Sequence, residues 1–254
     1  MTVDAEVIER PNARPAKRRT TKKDQKTQNS AVEAAGAAET PALQRAIKRV
    51  LITSPKGGCG KTELTKNLAV AAAMAGFNVA VADFDRQKTL KKWWERRPDS
   101  LATQIELYEG QMASPREVYQ VTDHDLLIID TPPGVEDHPE QIKALITAAD
   151  YVLVPSQPSI SDTESVAAWM GFVRTLGRPG AFVLNRINKS ATKSLDIAKR
   201  DLNKAGLLCP IEVPQYTDFD NAARLGVSVL EVRGMSGADD IQAVWHFLRN
   251  QLGL

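Results

Sequence analysis

Between Lys56 and Thr62 the sequence reads KGGCGKT. Three glycines, Gly57, Gly58 and Gly60, separate two lysines, Lys56 and Lys61, and the hydroxyl of Thr62 closes the run. Such a run can cradle a triphosphate. Glycines let backbone N–H groups close around phosphate oxygens, a lysine reaches the β- and γ-phosphates, and a Thr hydroxyl beside it can sit on Mg²⁺. The apolar run VLITS before the loop and the helix-like run from Lys61 after it supply a strand and a helix N-terminus, whose dipole favours an anion. The strict spacing GxxxxGK[ST] asks for glycine at position 55, which is Pro55, so the ordinary motif is missed by one residue. One lysine suffices to hold a phosphate, and the second calls for a separate explanation.

Carboxylates follow at the ends of apolar runs. Asp83-Phe84-Asp85-Arg86-Gln87 closes NVAVAD, and LLIID ends on Asp130 before Thr131-Pro132-Pro133-Gly134. Four apolar residues carry Asp130 to the C-terminal edge of a sheet, where ligands of open α/β sheets bind, so Asp130 is placed to hold Mg²⁺ through water. A pair of aspartates at a strand end also reads as helix capping. The same two readings apply to Asn185, at the end of AFVLN, which either contacts a base or caps the next helix.

The variant KGGxGKT is met in full by Lys56, Gly57, Gly58, Cys59, Gly60, Lys61 and Thr62, and it resembles the deviant Walker A motif of the ParA/MinD ATPases. The resemblance implies a purpose for Lys56: in a face-to-face homodimer driven by ATP it reaches the partner's nucleotide and stabilises charge on the transferring phosphoryl group, as an arginine finger does. It further implies that Asp85 positions or activates the attacking water, that Asp83 supports the Mg²⁺ shell with Thr62 and Asp130, that the TPPG segment is a switch sensing the γ-phosphate, and that Asn185 contacts adenine. Trp93 resembles a tryptophan found after the aspartate segment in partition ATPases. Two departures stand out. Arg86 replaces a proline, which removes a fixed φ from the turn. Glu63 replaces a Thr or Ser that contacts the α-phosphate, and a carboxylate so near a triphosphate is repelled unless it points away, which lowers the expected affinity. Cys59 fills the variable position, where a helix N-terminus can lower a thiol's pKa or a small residue simply fits.

These side chains need a scaffold that brings them to one edge. Short apolar runs at 50–54, 78–83, 104–108, 125–130, 151–155, 181–185 and 211–214 alternate with helix-like stretches at 61–75, 88–97, 115–121, 139–149, 162–176, 191–205, 218–225 and 238–251. Uninterrupted apolar runs fit strands buried on both faces. The expected fold is therefore α/β, a mostly parallel twisted sheet flanked by helices on both faces, of the P-loop NTPase class.

The chain has 254 residues with 43% hydrophobic residues, enough for a substantial core over 48–254. Residues 1–47 hold nine Lys/Arg against six Asp/Glu, and 48–254 hold 24 against 25, so the basic excess lies at the N-terminus. With few large apolar side chains, residues 1–47 are expected to be a disordered basic extension. No run approaches a membrane span and the N-terminus lacks a signal-like apolar segment, so the chain is expected in the cytoplasm without a membrane partner. Two cysteines far apart, Cys59 and Cys209, suggest neither a disulfide framework nor a zinc site, and do not suit the cluster-binding relatives of the resembled family.

Lys189, Lys193, Arg200 and Lys204 fall within an arc of roughly 60° if 191–205 and its lead-in are helical. They read as a surface for nonspecific DNA or as an ordinary solvated face. Lys91, Lys92, Arg96 and Arg97 form a second cationic group around Trp93 and Trp94, which are read first as packing or a partner contact. The last helix carries Ile241, Val244, Trp245 and Leu248 at packing spacing, with Arg249 as its one Lys or Arg, so it is expected on the sheet rather than on a membrane. The resemblance implies a weak, partner-stimulated ATPase that is nucleoid-associated and segregates or positions a cargo through a ParB-type adaptor. The alternative from another class is a nucleotide-switched scaffold that places a division site or protein array without DNA.

Overall fold

The chain was analysed as a computed structural model in which residues 46–254 are described. The basic extension expected over residues 1–47 lies outside the described residues, apart from its last two.

The strands are β1 Lys48–Ile52, β2 Val79–Asp83, β3 Ile105–Glu109, β4 Leu126–Asp130, β5 Tyr151–Ser156, β6 Gly180–Ile187, β7 Leu207–Leu208 and β8 Val213–Pro214. They form one sheet in the order β3-β2-β4-β1-β5-β6-β7, with β8 beside β6, and every pairing is parallel. Every residue of β2 and β4 is buried, which is why VAVAD and LLIID show no polar alternation. The helices are α1 Lys61–Met74, α2 Thr89–Glu95, α3 Pro139–Ala148, α4 Ile160–Thr175, α5 Thr192–Ala205, α6 Thr217–Leu225 and α7 Ala238–Leu252.

The chain leaves β1 to one side, over β4, and leaves β4 to the other, over β1, so a crevice opens at their C-terminal ends. One face of the sheet packs α1, α2, α6 and α7, and the other packs α3, α4 and α5. On the first face Ile241, Val244, Trp245 and Leu248 of α7 are fully buried, with Trp245 edge-on to Phe77 at 5.7 Å between ring centres. The packing role expected for α7 is thus what the structure displays. Among the described residues no helix is long and apolar enough to cross a membrane.

Three sequence expectations change. The helix expected over 115–121 is a 3₁₀ turn, Pro115–Gln120. The strand expected over 211–214 contracts to Val213–Pro214, while the two-residue β7 was not foreseen. Helix α2 begins after Lys88, whose φ of 52° is incompatible with the helix.

Candidate nucleotide site

The loop from Ser54 to Gly60 joins β1 to α1 at the crevice. Gly60 has a φ of 87°, and a Cβ there would lie 2.1 Å from Asn185 Nδ2, so only glycine fits both the turn and its neighbour. No side chain caps α1, and its first helical bond is Leu64 N–H to the Gly60 carbonyl at 2.9 Å. The N–H groups of Lys61, Thr62 and Glu63 are therefore not returned to the helix and converge at its positive end. The Lys61 ammonium folds back onto the loop and donates to the Lys56 carbonyl at 3.1 Å. Gly57 and Gly58 are exposed and Lys56 is half-buried, and among the described residues no hydrogen bond or ion pair holds the Lys56 ammonium. A Cβ at Gly57 would meet Pro133 Cβ at 3.7 Å, so the TPPG segment flanks the loop.

Cys59 is buried, and its thiol donates to the Lys56 carbonyl at 3.4 Å, as expected of a small residue that fits. Thr131 Oγ1 donates to the Ile52 carbonyl at 3.0 Å, which ties the exit of β4 to the exit of β1.

The residues expected on the metal side meet in register. Asp130 is the partner of Ile52 across one strand pair and of Asp83 across the other. Thr62 Oγ1 donates to Asp130 Oδ2 at 2.6 Å, and Thr65 Oγ1 lies 3.4 Å from Asp130 Oδ1. Burial pushes the Asp130 carboxyl up to about 7, against the bond from Thr62 and with help from the Asp83 charge. Asp83 is fully buried and both its oxygens accept backbone N–H groups, Oδ1 from Asp85 at 2.9 Å and Oδ2 from Lys91 at 3.0 Å. Its visible work is to shape the turn into α2, and burial raises its pKa as well. Asp85 Oδ1 accepts from the Gln87 N–H at 2.9 Å, and Lys88 Nζ donates to the Asp83 and Gly110 carbonyls at 3.0 and 3.3 Å. The turn that carries Arg86 in place of a proline is thus tied on both sides by hydrogen bonds of Asp83 and Lys88.

On the other side of the loop, Asn185 is fully buried and its Nδ2 donates to the Cys59 carbonyl at 2.9 Å, while its Oδ1 is buried without a partner among the described residues. The neighbouring Arg186 donates to the Gly58 carbonyl at 3.0 Å and to Glu63 Oε2 at 3.3 Å. The Glu63 carboxylate is thus turned toward a cation, Arg186, rather than into water. No signal in the sequence singled out Arg186. Beside this cluster lies a cleft of ≈ 540 Å³ lined by Glu63, Arg186, Lys189, Gln215, Tyr216 and Asp220 among others.

The donor set fits a nucleotide with Mg²⁺. Unreturned N–H groups and Lys61 suit phosphate, and a buried Asp bonded to a Thr hydroxyl suits a small cation that takes its remaining ligands from phosphate and water. Among the described residues no cluster of three His, Cys, Asp or Glu could hold a metal by itself.

Residues 50–229 match the model of the CobQ/CobB/MinD/ParA nucleotide binding domain. The chain belongs to this family. Such CobQ/CobB/MinD/ParA domains are P-loop ATPases that take ATP with Mg²⁺. The chain is 27% identical over 195 residues, 75% of its length and 87% of the other's, to the maintenance of carboxysome distribution protein A of Gloeobacter kilaueensis. Its fold resembles the Cyanothece McdA(D38A)–ATP complex, with a TM-score of 0.65, 18% identity and 83% and 98% of the two chains covered. It also resembles the septum site-determining protein MinD of Pyrococcus horikoshii complexed with Mg-ADP, with a TM-score of 0.65, 19% identity and 80% and 96% covered.

The two outlying cationic groups are rearranged. Lys193, Arg200 and Lys204 are exposed on α5, with Lys204 3.4 Å from Asp201. Lys189 is not on that helix: it sits in the preceding turn, where Nζ bonds the Tyr216 hydroxyl at 2.8 Å, and so leaves the common arc. Around α2, Trp93 is fully buried with its indole donating to the Val227 carbonyl at 3.0 Å, which is packing. Arg97 is buried in a fork with Glu231 at 2.7 and 3.0 Å and Lys91 pairs with Glu109 at 2.8 Å, so of these four cations Lys92 and Arg96 are the ones left exposed.

Proposed function

We propose that this chain is an ATP-driven positioning ATPase of the ParA/MinD type. In this reading ATP and Mg²⁺ bring two copies face to face, the dimer binds DNA without sequence preference through α5, and a cargo-bound adaptor of ParB type or an equivalent stimulates slow hydrolysis that releases it. The nucleoid then serves as the matrix on which a cargo is spread or segregated. A relative that maintains carboxysome distribution makes a protein cluster a suitable class of cargo.

The observation that carries this reading is the state of Lys56. Its carbonyl holds the Lys61 ammonium. Its own ammonium is engaged by no described residue, beside glycines exposed to solvent. A cation on the open rim of a phosphate loop is available to a second subunit's triphosphate, where charge on the transferring group develops. Asp85, held by the turn after β2, is the candidate for ordering the attacking water.

Gel filtration of Asp85→Ala with ATP and with ADP tests the first step. A doubled mass with ATP alone is expected, and an unchanged monomer in both would sink the proposal. Loss of the ATP-dependent dimer in Lys56→Ala, with nucleotide affinity of the monomer kept, is the companion result.

A further inference from the structure

Glu63 occupies the third position of α1, where the unreturned N–H groups converge. A carboxylate at that point competes with phosphate for the same positive potential. It does not escape into water: only 12% of its side chain is exposed, and its Oε1 would lie 3.2 Å from a Cβ at Gly60. Two cations oppose it. Arg186 meets Oε2 at 3.3 Å, and Lys66, one turn along α1 and nine-tenths buried, interacts with Glu63 through charge.

The backbone of Arg186 is built around this task. Its φ of 55° lies in the left-handed region, which a residue with a Cβ enters at a cost, and the pairing of β6 with β8 shifts register between Asn185 and Ile187. Irregularities of this kind re-aim a side chain. Here they bring the guanidinium onto two acceptors at once, the Gly58 carbonyl and Glu63, a span that suits a planar fork and not a point charge.

We propose that Arg186 is a positioning residue for the nucleotide, one that neutralises Glu63 and anchors the phosphate loop so that the α1 N-terminus stays open to an anion. This rests on the nucleotide-site reading above. Glu63 and Arg186 then act as a unit: the carboxylate is harmless only while the guanidinium is present, and the guanidinium is needed mainly because the carboxylate is there.

The test is a double-mutant cycle read by calorimetric titration of the full chain with Mg·ADP, which needs no turnover. Arg186→Ala should weaken binding at least about tenfold, Glu63→Thr should bind as well as the unaltered chain or better, and Glu63→Thr with Arg186→Ala should return to within about threefold of it. Thermal unfolding without nucleotide, measured on each variant, separates lost binding from lost folding, and Arg186→Gln replaces Arg186→Ala in the cycle if the latter does not fold. Unchanged affinity in the Arg186 variant, or a double variant no better than the single one, would overturn the proposal. Failure of the unaltered chain to bind Mg·ADP would instead overturn the nucleotide reading on which it rests.

Discussion

Thr62 Oγ1 sits 2.6 Å from Asp130 Oδ2, although the two residues are 68 positions apart. The contact joins the first turn of the phosphate-loop helix to the end of the neighbouring strand, and it sets the hydroxyl and the carboxylate side by side. Asp130→Asn keeps the shape and removes the charge. Its expected effect is a loss of the Mg²⁺-dependent part of nucleotide affinity, about 10- to 100-fold by analogy with other groups that orient metal ligands. Titrations with ADP in the presence and absence of Mg²⁺ check this, and equal losses under both conditions would argue for general damage.

The same carboxyl makes stability depend on pH. Its pKa in the folded chain is raised by burial to about 7 from the ordinary carboxylate value of 3.8. The folded state then binds the proton more tightly than the unfolded chain does, so stability is complete below about pH 4 for this group and declines as pH rises toward 7. Without metal or nucleotide, urea denaturation at pH 5 should give a higher midpoint than at pH 7.5, the contribution being at most a few kcal/mol. Asp130→Asn should flatten this dependence.

A buried ion pair secures α2 against the segment after α6. Arg97 and Glu231 are each about one-twentieth exposed in their side chains, the guanidinium lies 4.8 Å from the centre of the Trp93 ring, and Glu231 also accepts from the Ser228 N–H at 2.8 Å. Arg97→Met leaves a carboxylate buried without its partner and should cost about 3–5 kcal/mol in urea unfolding. Arg97→Met with Glu231→Leu should recover part of that loss, which a mere packing defect would not do.

The proposed DNA contact through α5 gives a quantitative expectation. If Lys193 and Arg200 each neutralise one phosphate, changing both to alanine should reduce the slope of log affinity against log salt by about 2. Lys189→Ala should change it less, because Lys189 sits in the turn against Tyr216. A slope insensitive to all three would move the interface elsewhere.

The order of the phosphate loop, the Asp83 segment and Asp130 could be read in advance because each sits at the end of an unbroken apolar run, and the sheet's parallel register brings such ends together. For α7 the readable signal was different, the helical spacing of Ile241, Val244, Trp245 and Leu248, all of which the fold buries. Arg186 was hidden because its partners Gly58 and Glu63 are more than 120 positions away and because its aim depends on a left-handed residue that no propensity marks. Lys189, in the lead-in to α5, leaves the expected arc because an arc computed from spacing extends a helix through a turn. The charge run around Trp93 looked continuous for a similar reason: Glu231, which removes Arg97 from the surface, is 134 positions later.

The parallel sheet also decides how the two ends of β1 face the world. Its last residue, Ile52, leads to the phosphate loop, while its first, Lys48, lies at the opposite rim, about 13 Å away at about 3.3 Å per residue. Ala46, where the described residues begin, therefore enters the sheet from the side away from the phosphate loop. A fluorescent label attached at the exposed Ala46 itself would stand behind that rim and leave the front of the molecule clear for a second copy to approach.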